Sequence, residues 1–496
     1  MNLPRTLAWA SVDEPDASTP EERRPVSTEL LRLLPLVILV GAVSADRFGI
    51  RWHGLNLRLE LIVAVALALW AVVTWRIAPV RIGLIEYGLA GWLAVGAFSS
   101  VVFSPAPRES LRLTLVLVGM VALYGLAVVF IRTRVDLARA ALVWVAVGTI
   151  VAGMGIVEAI LYALFDWHAG IAFDGTAAGS IVIIAPRVAS TMWEPNIFAS
   201  YLLTVWALAF ALSLAPGAQT HGRRWALRIA MGIVVAGIVI STTRVVWVVG
   251  PVLMLSMLAF ALRRGLFTRR RRLADFVNPN LAGIAVGLAL AMAMSVVDCP
   301  MAAPSSSQPS AAIPTFGAGP ASGPPPAASN PTQAPGCVKG GSVFMQHGRG
   351  FFQAGSTSSF TGRFGVARLA LNGWLHRPVF GNGSGSYVYV LGPAAGGWIG
   401  NLELHVLFDT GIVGLVLLLL ALVAAGRPAI RALGSAVVNW NTTHYVLFGL
   451  VAGALALIVT YQFTDGTWLG FTWVYFGMLV AGGRLTRGIG QRLRSA

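Results

Sequence analysis

Long apolar runs separated by short polar breaks occupy most of the chain, and twelve of them read as membrane-spanning helices, at about 30–45, 59–75, 82–103, 111–131, 137–161, 193–214, 225–243, 245–262, 281–297, 404–425, 445–461 and 468–481. Helical segments of this kind cross a bilayer with every backbone group satisfied internally. The alternating segments of about 10 residues that a transmembrane barrel needs are absent. The expected class is therefore an all-α polytopic membrane protein. One long polar stretch, 299–403, interrupts the pattern. It opens in a Pro/Ala/Ser run, 304–335, with no apolar periodicity, which reads as disordered, and continues as a block rich in Gly, aromatic residues and Arg. Residues 1–28 are polar with no apolar core and read as a disordered cytoplasmic tail rather than a signal peptide, and residues 483–496 form a basic tail.

Composition agrees with this reading: 56% hydrophobic and 11% charged residues, with mean hydropathy +0.74, exclude a soluble globular chain of this length. The formal charge of +16 suggests nucleic acid until the basic residues are placed on the topology. With the amino terminus inside, the inside segments hold 24 of the 36 Lys and Arg residues, from Arg5 to Arg494. The short loops agree with one another, so the charge marks orientation and no nucleic-acid partner is implied. Both termini are expected in the cytoplasm and the 299–403 loop outside. Cys299 and Cys337, the chain's two cysteines, fall in that outer loop, where a disulfide persists, and form a candidate pair.

Two outward arginines are not explained by orientation. Arg187 precedes the Glu194-Pro195-Asn196 segment, and Arg244 follows Ser241-Thr242-Thr243 between two apolar spans with almost no loop. An arginine at membrane depth either snorkels to headgroups or meets an anion, and a guanidinium suits phosphate through its paired donors.

Four elements in order resemble the bacterial O-antigen ligase and polymerase family. Glu194-Pro195-Asn196-Ile197-Phe198-Ala199 resembles the family's Asp-Pro-Asn opening of a spanning helix, with Glu for the usual Asp. Ser241 to Arg244 resembles its Ser-x-x-Arg element. Phe360-Thr361-Gly362-Arg363, then Trp374, Pro378 and Gly381-Asn382-Gly383-Ser384-Gly385-Ser386-Tyr387, resembles its Gly-Arg block and Gly-x-Gly-x-Gly-x-aromatic run. Asn401-Leu402-Glu403-Leu404 through Asp409-Thr410-Gly411-Ile412-Val413-Gly414 resembles the family's lead into the next span. The match covers about residues 180–420. Gly400 stands where the ligases usually carry a histidine before the asparagine.

The resemblance implies a C-type glycosyltransferase-like membrane fold in the bacterial cytoplasmic membrane. It implies metal-independent transfer, without a cofactor, of glycan from an undecaprenyl-diphosphate donor to a hydroxyl of a lipid or glycan acceptor on the outer face. Arg187, Arg244 and Arg363 are the expected diphosphate ligands, converging on one outward cavity. Glu194, Asn196, Ser241, Gly383 and Asp409 are expected in the donor and acceptor cleft. Asn401 is expected to border it, and the general base is open among His405, His347 and Glu403. Ligase, polymerase and related surface-glycan transferase stay open within the enzyme class. Outside it stand a non-catalytic membrane scaffold and a transporter, the latter without the internal repeats such folds carry.

Overall fold

The computed structural model describes residues 26–52, 55–74, 82–178, 181–216, 220–266, 270–300, 338–342, 358–391, 399–435 and 440–495. The helices are α1 (Val26–Val43), α2 (Leu59–Val73), α3 (Leu84–Val102), α4 (Pro107–Phe130), α5 (Arg134–Phe165), α6 (Pro195–Leu214), α7 (His221–Ile240), α8 (Arg244–Arg263), α9 (Arg270–Ala293), α10 (Ser358–Leu375), α11 (Tyr387–Leu391), α12 (Leu402–Ser435), α13 (Thr442–Thr460) and α14 (Gly470–Ser495). A helix lies at each of the twelve positions expected from hydropathy. Among the described residues, eight helices are long and apolar enough to cross a membrane, and Leu33–Val43 and Leu59–Val73 are shorter apolar helices. The chain is thus a multi-pass, mainly helical membrane protein. The helices α7 and α14 carry arginines within their length, Arg223, Arg224 and Arg228 in the first and Arg484, Arg487, Arg492 and Arg494 in the second.

The core is built around α6, which is apolar on every side and enclosed by its neighbours. Its polar contacts are few and each is satisfied. Trp144 Nε1 on α5 donates to Thr204 Oγ1 (3.0 Å), Trp206 Nε1 donates to Asn280 Oδ1 on α9 (2.8 Å), and Tyr201 OH lies 2.7 Å from Ser44 Oγ. Small residues let helices close up where side chains would hold them apart. A β-carbon at Gly283 of α9 would stand 2.3 Å from the Gly232 carbonyl of α7.

Strands, which hydropathy did not predict, gather at one end of the bundle. β1 (Gly49–Trp52) and β2 (Leu55–Arg58) form a hairpin between α1 and α2. A four-stranded antiparallel sheet runs in the order β3 (Ile171–Ala178), β4 (Ile181–Val188), β5 (Ser295–Pro300), β6 (Val338–Ser342). The span expected at 281–297 is corrected by it. The helix is displaced toward its amino end, to Arg270–Ala293, and Val296–Val297 enter β5, whose Val297 pairs with Ile184 of β4. The 299–403 region, expected as a loop, contains β6, α10 and α11.

Contacts between segments far apart in the chain place several turns at this same loop-rich end. The Arg47 amide donates to the Thr191 carbonyl (3.0 Å), the Leu402 amide to the Tyr461 carbonyl (2.9 Å), and Ser99 Oγ to the Asp409 carbonyl (3.1 Å). At the opposite end Glu86 pairs with Arg484 and accepts from Tyr124 OH (2.7 Å), and Asp275 pairs with Arg228.

Candidate functional site

Two clusters of polar side chains sit at the loop-rich end. The first is made where β4 runs toward α6 and where α7 turns directly into α8. Ser241 ends α7, Thr242 takes a left-handed conformation (φ 51°) and Thr243 caps α8, so the chain reverses in three residues. Arg187, half-buried at the end of β4, grips this turn and the start of α6 together. Its Nη2 donates to Asn196 Oδ1 (3.0 Å) and Thr243 Oγ1 (3.2 Å), and its Nε to the Ser241 carbonyl (3.4 Å). The structure therefore brings Arg187, Asn196 and Ser241 together. Glu194 stands exposed at the amino-terminal cap of α6, before Pro195 in the first turn.

Arg244 is the first residue of α8, half-buried, and among the described residues it makes no hydrogen bond or ion pair. The hydroxyl of Thr242, two residues before it, is buried and likewise has no hydrogen-bond partner among the described residues. One guanidinium is fully engaged in holding the turn and the next is left over, at a helix start whose free amides favour negative charge.

The second cluster is built on a break in α12. Gly411 leaves helical geometry (φ 62°), which frees the amides of Ile412 and Val413 to donate to the Pro378 and Val379 carbonyls (2.9 and 3.2 Å). The glycine run fills the gap from the other side. The amides of Asn382 and Gly383 donate to the Phe408 and Asp409 carbonyls (both 2.9 Å), and the Gly385 amide to Asp409 Oδ2 (2.9 Å). The Gly-x-Gly-x-Gly run and the Asp-x-Gly element are thus two halves of one joint. Hydroxyls from the α3–α4 corner close it: the Ser384 amide donates to Ser100 Oγ (3.1 Å), and Thr114 Oγ1 to Ser384 Oγ (3.0 Å).

His405 lies one turn before Asp409 on the outer piece of α12, only 3% exposed. Asp409 Oδ2 is 3.3 Å from its Nε2 and Asp465 Oδ2, from the α13–α14 turn, is 2.5 Å from its Nδ1. Both ring nitrogens face carboxylates, and Tyr387 stands edge-on to the ring. Burial first, and then Asp409 and Asp465, hold the Tyr387 phenol well above its ordinary pKa. His405, one of the three candidate bases, is a bridge between two acids, with neither ring nitrogen turned to open space.

Asn401 and Glu403 meet through Gln462. Gln462 Nε2 donates to Glu403 Oε1 (2.8 Å) and Asn401 Nδ2 donates to Gln462 Oε1 (3.1 Å), while Asn401 Oδ1 caps the start of α12 by accepting from the Leu404 amide (2.8 Å). Asn401 is therefore committed to shaping the helix start. The Arg363 side chain, His347, Cys337 and the Cys299 side chain lie outside the described residues, so the three-arginine cavity and the disulfide are expectations the described residues do not reach.

Sequence reading missed Asp465, Gln462 and the trio of buried Asp46 and Glu60 with half-buried Arg58. Arg58 Nη1 is 3.1 Å from Asp46 Oδ1 and 3.4 Å from Glu60 Oε1, and donates to the Trp468 carbonyl (2.6 Å). Burial raises the Asp46 carboxyl pKa, with Arg58 opposing. The trio joins the two clusters: Thr191 Oγ1, near the Arg187 turn, donates to the Ser44 carbonyl (2.6 Å), and the Trp468 ring centre is 6.2 Å from that of His405. The sequence signal for Asp465 was an acid in the short polar break Thr464–Thr467 between two apolar runs. No protein-family model matches this chain, and no curated protein matches it in sequence. The functional reading therefore stands on the residues and their geometry.

Proposed function

We propose that the chain transfers glycan from a polyprenyl-diphosphate-linked donor to an acceptor hydroxyl on the outer face of a bacterial cytoplasmic membrane, in the manner of an O-antigen ligase. The observation that carries this reading is the pair of arginines at the α7–α8 turn, Arg187 holding the turn and Arg244 beside it with no hydrogen bond or ion pair among the described residues. A guanidinium at membrane depth needs a counter-charge, and a diphosphate arriving from the lipid phase supplies one. In the reaction the acceptor oxygen forms a bond to the anomeric carbon of the donor sugar, and the bond from that carbon to the diphosphate breaks. The electron pair leaves on the diphosphate oxygen, where Arg244 and the α8 start stabilise it. The acceptor proton goes to a base, for which Glu403 fits best of the described candidates: it is less enclosed than His405, and its Oε2 has no hydrogen-bond partner among the described residues.

The reading carries the topology with it. Twelve crossings, both termini cytoplasmic and the loop-rich end outside follow from the arginines concentrated at the opposite end. Gly400, in place of the histidine usual in ligases, favours polymerisation of surface-glycan repeats as the second reading. The state of the lipid-linked glycan in cells lacking the protein tests both. Long chains left on the carrier support ligation and single repeat units support polymerisation, whereas an unchanged carrier pool overturns transfer altogether.

A further inference from the structure

The helix α10 is not among the helices long and apolar enough to cross a membrane, yet it is apolar on two faces. One face carries Val366, Ala370 and Trp374, which pack with Tyr387, Ile399 and Leu404 around Phe408 of α12. Contact is close: a β-carbon at Gly373 would stand 2.7 Å from the Phe408 ring. This contact sets the height of α10, level with the first turns of α12 at the loop-rich end. The other face is a stripe of Phe364, Arg368, Leu371 and Leu375, spaced as one side of a helix. Phe364, Leu371 and Leu375 are 64%, 43% and 63% exposed, and Arg368 is exposed with them.

The charge of the segment that carries α10 points to what covers this stripe. From Cys299 to Leu402 the chain has no acidic residue, whereas Lys339, Arg349, Arg363, Arg368 and Arg377 are basic. A segment whose charges are all positive and which carries an exposed apolar stripe matches the phosphates and upper acyl chains of a bilayer surface. Exposed Phe48, Trp167, Trp193 and Tyr389 belong to other segments of the same end, and such aromatic rings collect at the membrane–water boundary.

We propose that α10 is an interfacial helix, lying in the leaflet at the loop-rich end with Phe364, Leu371 and Leu375 at the acyl–headgroup boundary and Arg368 on lipid phosphate. This inference does not rest on the transfer reaction. Since α10 also braces Phe408, which directly precedes Asp409 and lies about one helical turn after His405, its depth is coupled mechanically to the second cluster.

The test uses the full-length protein in phosphatidylethanolamine and phosphatidylglycerol vesicles, with an environment-sensitive fluorescent amino acid at position 371 or, in a second variant, at 375. At both positions the emission is expected to be blue-shifted, quenched by lipid bearing a nitroxide high on the acyl chain, and insensitive to iodide present on both sides of the membrane. Quenching by iodide and not by nitroxide lipid overturns the proposal. So does a blue shift lost on dilution of protein into excess lipid, which would put a second copy of the chain on the stripe. Arg368→Glu is expected to shift both labels toward iodide, and an unchanged depth would overturn the phosphate contact.

Discussion

Arg187 and Arg244 sit at one turn but carry different loads, and their variants should separate accordingly. Arg187 is consumed by protein acceptors, so Arg187→Ala leaves Asn196 Oδ1 and Thr243 Oγ1 short of a donor and should lower stability by about 1–3 kcal/mol. Arg244 makes no such contacts among the described residues, so Arg244→Ala should unfold within about 0.5 kcal/mol of wild type while glycan transfer falls about 10²–10³-fold. Arg244→Lys keeps the charge without the planar fork and should keep donor binding while losing most turnover. Thermal unfolding in lipid beside a transfer assay reads both quantities. The Asp465–His405 pair calls for a double-mutant cycle. Asp465→Asn or His405→Gln should each cost about 3–5 kcal/mol by leaving a buried partner uncompensated. The double variant should cost clearly less than the sum; an additive result would mean the two do not interact. Arg187, Asn196 and Ser241 stood out in the sequence because each sits beside a recognisable helix start or turn, although their mutual contact was not expected. Asp465 was not, because its meaning comes from His405, which only the folded α12 and the α13–α14 turn bring within 2.5 Å.

Helices were the most legible elements, since lipid forces apolar runs to be helical and the runs are long. Strand β5 was not, because a short Val-rich segment at a span end looks the same to hydropathy whether it extends a helix or pairs in a sheet. The glycine run was visible as a motif, but its purpose was hidden. It replaces helix hydrogen bonds at the break in α12, so its partners are carbonyls of another element. Two glycines of the joint, one in the run and one at the break, make firm predictions. Gly383 has φ 96° and a β-carbon there would stand 2.9 Å from Ser104 Cβ and 3.0 Å from Ser100 Cα; Gly411 has φ 62° and one there would stand 2.3 Å from the Val379 carbonyl oxygen. Gly383→Ala and Gly411→Ala should each destabilise by about 2–4 kcal/mol, strain and clash together. Limited proteolysis should then cut between residues 376 and 391 in the variants before it does in wild type. Equal cleavage would show that the joint does not hold that segment.

At the scale of the whole molecule, polar contacts sort the turns into two ends, and the arginines that end α8 and α14 lie away from the loop-rich one. A cysteine at Ser329, with Cys299 and Cys337 replaced by Ser, should react with a membrane-impermeant thiol reagent on intact cells. Reaction only after the cytoplasm is opened would invert the topology and remove the site from the face where lipid-linked glycans are transferred. The central claim is the chemistry at the α7–α8 turn, and purified protein in vesicles tests it most directly. With a polyprenyl-diphosphate-linked glycan labelled in the sugar and an acceptor lipid or glycan supplied, wild type should move label from the carrier to the acceptor and release polyprenyl diphosphate. Arg244→Ala, unfolding at the same temperature, should not. Transfer by Arg244→Ala at the wild-type rate, or no transfer by folded wild-type protein with either class of acceptor, would contradict the account.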